Sequence, residues 1–292
     1  MVTKPQTIRE FFQQFPNDQA CLDHVMLVRY GKKSECPKCG KETGWSKVSS
    51  QRTYACQWCG HDVYPCVGTP FESSITSLQL WFYAIYLFTT TRSGVSAKEL
   101  QRQLGVTYKC AWRMGHEIRK HMAFVDGDDV LNGDVEVDEI YVGGKAVGKR
   151  GRGADNKAIL FGMLDRDGDL MVQVVENAKG STLKPLICEN VETGSTIHSD
   201  EWLGYRVIDK EGFEHMTCSH GEKKYSINGS HVNTLEGFWG RLKQSIGGTH
   251  THVSEKHLEK YAKEFEYRYN SRLRPDRMMF ELLSTFRSLT QG

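Results

Sequence analysis

The chain has 292 residues, with 38 Lys and Arg, 36 Asp and Glu, and a net charge of +2 at pH 7. This length is enough for two domains with buried cores, and 39% hydrophobic residues is ordinary for a globular protein. The sequence contains no apolar run of about 18 residues, which excludes a membrane-spanning helix. The first residues lack the apolar stretch of a secretory signal, so we predict a cytoplasmic protein without a membrane partner.

The charge is distributed unevenly along the chain. Residues 1–125 contain 16 Lys and Arg against 9 Asp and Glu, a balance of +7, and residues 126–292 have a balance of −5. A basic segment suits contact with phosphate, and an acidic segment could hold cations. Solvated surface explains such an asymmetry equally well when charge is considered alone.

Four segments follow one another in the sequence. Residues 1–30 carry apolar residues at helical spacing, which predicts one or two short amphipathic helices. Residues 31–72 are rich in Gly, Cys and turn residues, and residues 73–125 are predicted to be mainly helical. Residues 126–292 begin with strand-like alternation and end in long helical patterns, after a predicted Gly/Asp-rich linker at Asp126–Asp134.

Four cysteines form a pattern typical of a metal site. Cys36, Cys39, Cys56 and Cys59 form two CxxC pairs, and a glycine follows each pair. Four thiolates can hold one tetrahedral zinc ion with no open position for a substrate, so we predict a structural Zn²⁺ in a small ribbon domain. Two disulfides are the alternative, which the missing secretory signal disfavours. The remaining cysteines are interpreted as buried free thiols: Cys21, Cys66, Cys110, Cys188 and Cys218.

A helix-turn-helix is predicted in the third segment. Ser96 and Glu99 have the spacing of a capping box, Gly105 ends the first helix, and Thr107 can cap a second helix that continues to His121. The second helix of this motif reads the major groove of DNA, although many helical hairpins do not bind DNA. Leu100, Leu104, Val106, Ala111 and Met114 would face inward. Lys109, Arg113, Arg119 and Lys120 would be available to DNA.

Acidic residues lie on three predicted elements of the last segment. Val135–Val142 alternates like a strand that carries Asp138, and Thr196–Glu201 is a second short strand ending in carboxylates. A helix begins near Asn233 and carries Glu236. Three such groups can converge on two divalent cations, which catalyse phosphoryl transfer. A single Asp at a strand end is more often a turn or cap residue.

The motifs together resemble those of bacterial insertion-sequence transposases that join an N-terminal zinc ribbon to a DDE integrase-like domain. The resemblance runs almost end to end and rests on CPKCG, CQWCG, AWRMGHEIRK, VEVDEIYVGGK, HSDEWLGY and HVNTLEGFWGRLK. It implies an α/β catalytic domain of ribonuclease-H-like type, a mixed sheet with flanking helices, over residues 126–292. The zinc ribbon would span residues 31–72 and the helix-turn-helix residues 73–125, after the N-terminal helical segment.

The resemblance also implies the catalytic residues. Asp138 and Asp200 match the first two metal-binding carboxylates, for Mg²⁺ or Mn²⁺, and Glu236 is the preferred third ligand because an anion holds Mg²⁺ better than an amide. Asn233 is the alternative third ligand, one helical turn away. Lys243 follows Glu236 by two turns and would meet DNA phosphate over the same site.

The implied function is a DNA transposase that binds the ends of its own element and catalyses metal-dependent strand cleavage and strand transfer. Its partners would be double-stranded DNA, as terminal inverted repeats and target, and further copies of the chain in a dimer or larger assembly. It would lie in the bacterial cytoplasm, associated with the nucleoid when bound to DNA. Further predicted DNA contacts are Lys149, Arg150 and Arg152 in a basic loop, and Arg241.

Two other functions compete with this interpretation. A DNA-binding regulator would use the ribbon and the helix-turn-helix but would not need the acidic residues. A stand-alone nuclease on the same core would cleave DNA without joining it. A tyrosine nucleophile is a competing mechanism, with candidates Tyr205, Tyr225, Tyr261, Tyr267 and Tyr269. The last three lie in a helical stretch whose spacing predicts a helix core, formed by Leu258, Tyr261, Phe265 and Tyr269.

Overall fold

The computed structural model describes residues 4–49, 51–127, 129–143, 157–200, 208–218 and 232–286. The chain divides into two compact units. The first comprises Met1–Val125 together with Leu273–Gly292, and the second comprises Asp126–Arg272. The division after Val125 coincides with the start of the predicted linker, but the last segment clusters with the first unit and not with the predicted catalytic domain. Within the described ranges, no helix has the length and apolar character needed to cross a membrane.

The first unit begins with two short helices, α1 (Ile8–Gln14) and α2 (Asp18–Tyr30). Thr7 and Glu10 form a capping box at α1, in which each side chain bonds the other residue's backbone N–H. The side chain of Asn17 caps α2 by accepting a hydrogen bond from the N–H of Ala20. The first helix ends at its C-cap Phe15, and Asn17 caps the second, so two short helices form here.

The cysteine-rich segment folds into short antiparallel strands. A two-stranded sheet pairs β1 with β2, and a three-stranded sheet has the order β3-β4-β5. Strands of two to four residues bury little surface, so this segment depends on something besides its own core for stability. The bounds are β1 (Ser34–Glu35), β2 (Glu42–Thr43), β3 (Trp45–Val48), β4 (Thr53–Cys56) and β5 (Asp62–Val63).

Three helices follow the ribbon: α3 (Leu78–Thr90), α4 (Ala97–Leu104) and α5 (Tyr108–Asp126). Gly105 ends α4 in the left-handed conformation with φ 64°, which glycine adopts without steric cost. The N–H of Cys110 donates to the Thr107 hydroxyl at 3.2 Å, as predicted.

The predicted capping box at α4 forms only in part. The Ser96 hydroxyl accepts from the N–H of Glu99 at 3.1 Å. The Glu99 carboxylate bonds instead to the side chains of Arg102 and Gln103, farther along the helix. The α4–turn–α5 arrangement is nevertheless present, with Leu100, Leu104, Ala111 and Met114 buried and Val106 partly exposed.

The second unit is built around a five-stranded mixed sheet of order β10-β9-β6-β7-β8. β6, β7 and β8 are antiparallel, whereas β9 and β10 run parallel to β6. One apolar face packs against α6 and the other against α7 and α8, which confirms the predicted mixed sheet with flanking helices. The bounds are β6 (Asp134–Val142), β7 (Ala158–Asp165), β8 (Leu170–Val175), α6 (Gly180–Asn190), β9 (Thr196–Asp200), β10 (Glu214–Cys218), α7 (Asn233–Ser245) and α8 (Glu255–Asn270). A last helix, α9 (Met278–Ser284), belongs to the first unit.

Side chains of α8 cover the outer edge of β8. A Glu266 carboxylate oxygen accepts from the N–H of Val172 at 2.7 Å. The Asn270 amide accepts from the N–H of Leu170 at 2.9 Å and donates to its carbonyl at 3.1 Å. Backbone groups that an edge strand normally leaves to solvent are thus satisfied within the unit.

Candidate functional site

The four predicted cysteines meet at one point of the ribbon. The Sγ atoms of Cys36 and Cys59 lie 3.7 Å apart, and those of Cys39 and Cys56 lie 3.9 Å apart. All four sulfur atoms lie within 4.8 Å of one another. A tetrahedral zinc ion with Zn–S bonds of about 2.3 Å places its sulfurs about 3.8 Å apart, so the four thiols fit zinc.

The two CxxC pairs lie on turns with the same hydrogen bonds. The N–H of Gly40 donates to the carbonyl of Cys36, and the N–H of Gly60 donates to that of Cys56, both at 2.9 Å. The two glycines have φ values of +66° and +69°, a conformation that side chains disfavour. Each turn therefore presents two sulfurs in one direction, and the glycine after each pair allows the tight turn.

Thr43 of β2 supports the turn of the second cysteine pair and was not predicted from the sequence. Its side chain is buried, and its hydroxyl accepts from the N–H of Gln57 at 3.2 Å and contacts the Cys56 sulfur. Burial alone would raise the pKa of Cys56, but hydrogen bonds with Thr43 and with the backbone of Cys59 and Trp58 lower it. A lowered thiol pKa favours the thiolate that binds a metal.

The three predicted carboxylates lie on three elements of the second unit. Asp138 is in β6, Asp200 is the last residue of β9, and Glu236 is in the first turn of α7. Burial raises the pKa of Asp138 to about 7, and the nearby carboxylates of Glu139, Asp200 and Glu236 add to the shift. The sheet and α7 thus bring like charges close enough to repel one another.

The three predicted carboxylates are less closely grouped than the four cysteine sulfurs. Within the described part of the chain, the four cysteines are the one group of three or more potential ligands whose atoms lie within 4.8 Å of one another. Carboxylate oxygens are the ligands that Mg²⁺ and Mn²⁺ prefer, and Mg²⁺ keeps several water molecules. The chemistry of the donors fits such a cation, which would also offset their mutual repulsion.

α7 lies against the sheet beside Asp138. The indole Nε1–H of Trp239 donates to Oδ2 of Asp138 at 3.1 Å. Its spacing with Leu235, Phe238 and Leu242 predicts that Trp239 lies on the apolar face of the helix, and it is buried. Its polar contact was missed because periodicity reports burial and not the partner of a ring N–H.

Glu136 fixes the start of α7 from the neighbouring sheet. This fully buried carboxylate accepts from the N–H groups of Thr234 and Leu235 at 3.1 and 3.0 Å. It also pairs with Arg166 at 3.1 Å. α7 has no capping side chain of its own at Val232, so Glu136 takes that role and its charge complements the helix N-terminus.

The remaining predicted residues of α7 lie on its exposed side. Glu236 and Lys243 are exposed on one face of the helix, and Arg241 is exposed nearby. Asn233, the alternative third ligand, is exposed at the first position of the helix. The choice between Glu236 and Asn233 stays a prediction.

Arg119 does not fit its predicted role as a DNA contact. Its side chain is 2% exposed, its guanidinium donates to the carbonyl of Val95 at 2.9 Å, and it lies 5.0 Å from the ring of Phe88. Gly115, one turn earlier in α5, leaves room for it, because a Cβ there would lie 3.0 Å from the guanidinium. The positive charge is held within the first unit, and the residue type alone does not indicate this because arginine is normally exposed.

The other predicted DNA contacts differ in exposure. Lys109 and Lys120 are exposed, and Lys120 pairs with Glu117 at 2.8 Å. Arg113 is partly buried, with its guanidinium 5.7 Å from the ring of Trp81. Lys149, Arg150 and Arg152 lie outside the described residues, as do Tyr205, Tyr225 and Glu201.

Comparisons with known proteins agree with the two units. A model of the transposase zinc-ribbon domain matches residues 16–62, and a model of the ISXO2-like transposase domain of the IS1595 group matches residues 130–270. The second match includes all three predicted carboxylates, and the first includes all four cysteines of the ribbon.

Two relatives found by sequence are also described as proteins of transposable elements or transposase-like proteins. An uncharacterized protein in transposable element ISH50 of Halobacterium salinarum is 26% identical over 87% of this chain and 91% of its own length. An uncharacterized transposase-like protein of Haemophilus influenzae is 31% identical over 34% of this chain and 78% of its own length. The solved pre-cleavage Mos1 transpososome covers 71% of this chain and 79% of its own, but with 11% identity and a TM-score of 0.29 the likeness is weak. From the two domain matches and the two relatives found by sequence, we conclude that the chain belongs to the IS1595 family of DNA transposases.

Proposed function

We propose that the second unit carries out the transposase reaction by two-metal phosphoryl transfer, with Asp138, Asp200 and Glu236 holding Mg²⁺ or Mn²⁺. The observation that carries this proposal is geometric: Asp138 lies in β6, and Asp200 ends β9, which pairs with β6 in parallel. α7, which carries Glu236, contacts Asp138 through Trp239. Burial and the neighbouring carboxylates also raise the pKa of Asp138. Such a group of like charges is costly unless a cation occupies it. Bound cations would supply the positive charge that stabilises the attacking and leaving oxygens of the phosphodiester.

The chain itself would hold the DNA over the carboxylates. Lys243 is exposed two helical turns after Glu236 on the same face of α7, where its ammonium can bind a DNA phosphate. Arg241 is exposed close by and can bind a second phosphate. In the first step water displaces the 3′-oxygen of a phosphodiester and leaves a free 3′-OH. In the second step that hydroxyl attacks a phosphodiester of the target, forming one new bond and releasing one strand end.

We further propose that the first unit recognises the element ends. Its ribbon would hold a structural Zn²⁺ through Cys36, Cys39, Cys56 and Cys59, and its basic balance suits contact with DNA. The second helix of the α4–α5 pair would enter the major groove with Lys109 available to the bases or phosphates. Two element ends must be cut together, which favours a homo-oligomer on DNA, located at the bacterial nucleoid.

The test is strand transfer with labelled duplexes that carry the inverted repeats flanking the coding region, a target plasmid and Mg²⁺. We expect cleaved ends and joined products from the natural chain, and a loss of at least about a thousandfold in Asp138→Asn, because the first metal ligand is removed. Asp167→Asn is the matched control, since Asp167 is exposed on the β7–β8 turn away from the three carboxylates.

Each other outcome identifies a competing function. Specific DNA binding without cleavage would support the regulator. Cleavage without joined product would support the nuclease. Full strand transfer by Asp138→Asn would overturn the assignment of the carboxylates, and the same comparison with Glu236→Gln and Asn233→Ala decides which of the two is the third ligand.

A further inference from the structure

A glycine lies directly opposite the first predicted carboxylate. Gly162 of β7 pairs in register with Asp138 of β6. A Cβ at position 162 would lie 2.6 Å from Cζ2 of Trp239 and 3.0 Å from Cδ1 of Leu235, both on α7. The contact with Trp239 is shorter than real Cβ contacts, so any larger residue at position 162 would force the indole of Trp239 to shift.

The space above Gly162 is filled by the indole of Trp239. This side chain is 2% exposed, and its Nε1–H donates to Oδ2 of Asp138 at 3.1 Å. An indole N–H is only a donor and needs a partner when buried. Because the bond engages one carboxylate oxygen from a fixed direction, it restricts the rotation of the carboxylate.

Phe238, the neighbouring aromatic residue of α7, makes packing contacts only and serves as a comparison for Trp239. Phe238 is also buried, and its ring lies 5.1 Å from that of Trp239 and 6.0 Å from that of Tyr269. It contributes apolar surface to the same cluster but has no polar atom to direct at Asp138. Trp239 therefore combines a packing contact with a directed one.

We propose that Trp239 is a positioning residue that orients the Asp138 carboxylate for the divalent cation, with Gly162 providing the space for its indole. This rests on the proposed function, because it assigns Asp138 to metal binding. Side chains that hydrogen-bond to metal ligands fix their orientation, and losing one typically weakens metal affinity or activity by about 10- to 100-fold. The hydrogen bond from the Trp239 indole to the Asp138 carboxylate is such a contact with a proposed metal ligand.

The test compares Trp239→Phe with the control Phe238→Leu, both of which remove apolar volume from the same helix. Mn²⁺ binding is measured by calorimetry on the zinc-loaded protein, with Asp138→Asn as the blank, and thermal unfolding is followed in parallel. We expect Trp239→Phe to weaken Mn²⁺ affinity by about tenfold and to raise the half-saturating Mg²⁺ of cleavage by a similar factor. Cleavage should recover at saturating metal, whereas Phe238→Leu should lower the melting temperature and leave the metal dependence unchanged.

A second variant keeps the indole but moves it. Gly162→Ala introduces the Cβ that would collide with Trp239, so we expect weaker Mn²⁺ binding although the N–H donor is still present. This variant keeps the proposal testable if Trp239→Phe does not fold.

The outcomes distinguish the positioning role of Trp239 from the proposed DNA cleavage reaction on which that role rests. Unchanged Mn²⁺ affinity in folded Trp239→Phe or in folded Gly162→Ala, with a natural chain that cleaves DNA, overturns the positioning role alone. A natural chain that does not cleave DNA but binds Mn²⁺, with weaker binding in Trp239→Phe, supports the role and overturns the proposed reaction. A natural chain that binds no Mn²⁺ above the Asp138→Asn blank overturns both.

Discussion

The cysteine cluster and the acidic group reach their arrangement in opposite ways. Two turns with the same hydrogen bonds bring four sulfurs within 4.8 Å, and both turns lie in one short segment. The carboxylates come from β6, β9 and α7, and they depend on contacts such as those of Glu136 and Trp239 across the second unit. Local turn geometry is thus sufficient for the first site, whereas the second needs the whole sheet and its helix to be correctly packed.

The largest expected effect follows from removing one sulfur. Cys39→Ser should abolish high-affinity zinc binding and unfold the ribbon, because structural zinc contributes about 10 kcal/mol or more to such small domains. The second unit has its own core and should keep its melting temperature. Zinc content and limited proteolysis check this, with the exposed, free Cys188→Ser as the control. Parallel loss of both units would contradict the independence of the two sites.

Removing the Glu136 cap from α7 should destabilise the second unit, which holds the three predicted carboxylates. Glu136→Gln weakens the bonds to the N–H groups of Thr234 and Leu235 and leaves Arg166 without its buried countercharge. We expect a loss of about 3 kcal/mol in the free energy of unfolding of the second unit, measured with urea. The exposed Glu176→Gln is the control, and an equal stability of the two variants would show that α7 does not need this cap.

A pH dependence should arise where α8 covers β8. Burial raises the pKa of Glu266 to about 8, despite the ion pair with Lys263 at 2.7 Å, and Asp126 adds to the rise. A carboxyl group that binds its proton more tightly when folded stabilises the fold at low pH, and this contribution is lost as the pH rises from about 4.5 to about 8.

Glu266→Gln should remove this slope, because the amide stays neutral and can still accept from the N–H of Val172. The measurement is the free energy of unfolding at pH 5 and pH 8 for both proteins. The natural chain should lose more stability than the variant over that interval. Identical pH slopes would show that Glu266 is not protonated in the folded protein.

The smallest effect is expected at a single turn of the ribbon. Gly60→Ala should cost about 1 kcal/mol, because φ is +69° and the added Cβ meets no atom within 4 Å, so only backbone strain acts. Gly237→Ala has equally open space but lies within α7, where alanine should stabilise the helix by about 0.5 to 1 kcal/mol. Chelator titration of the ribbon and urea unfolding of the second unit measure the two effects, which should have opposite signs.

Features that depend on short stretches of chain were predictable from the sequence. The spacing of Cys36 to Cys59 and the glycine after each pair determine the cysteine cluster, and alternation along Val135–Val142 determines the strand that carries Asp138. The turn between β7 and β8 and the left-handed end of α4 at Gly105 follow from local preferences as well.

Features that depend on contacts between distant residues were not predictable. Glu136 and Thr234 are separated by 98 positions, and nothing in either local pattern indicates that one caps the other's helix. Arg119 looks like a surface cation in α5, but Gly115 and the carbonyl of Val95 hold it inside. Periodicity identifies which face of an element is buried, and it does not identify which polar groups will meet there.

The coverage of β8 by α8 bears on how copies of this protein could assemble. Glu266 and Asn270 already bond the outward-facing backbone groups of Val172 and Leu170. A second chain therefore cannot continue the sheet on that side by adding a strand, since the hydrogen bonds it would need are taken. If two copies pair to bring two element ends together, their interface cannot be built by strand addition at the β8 edge.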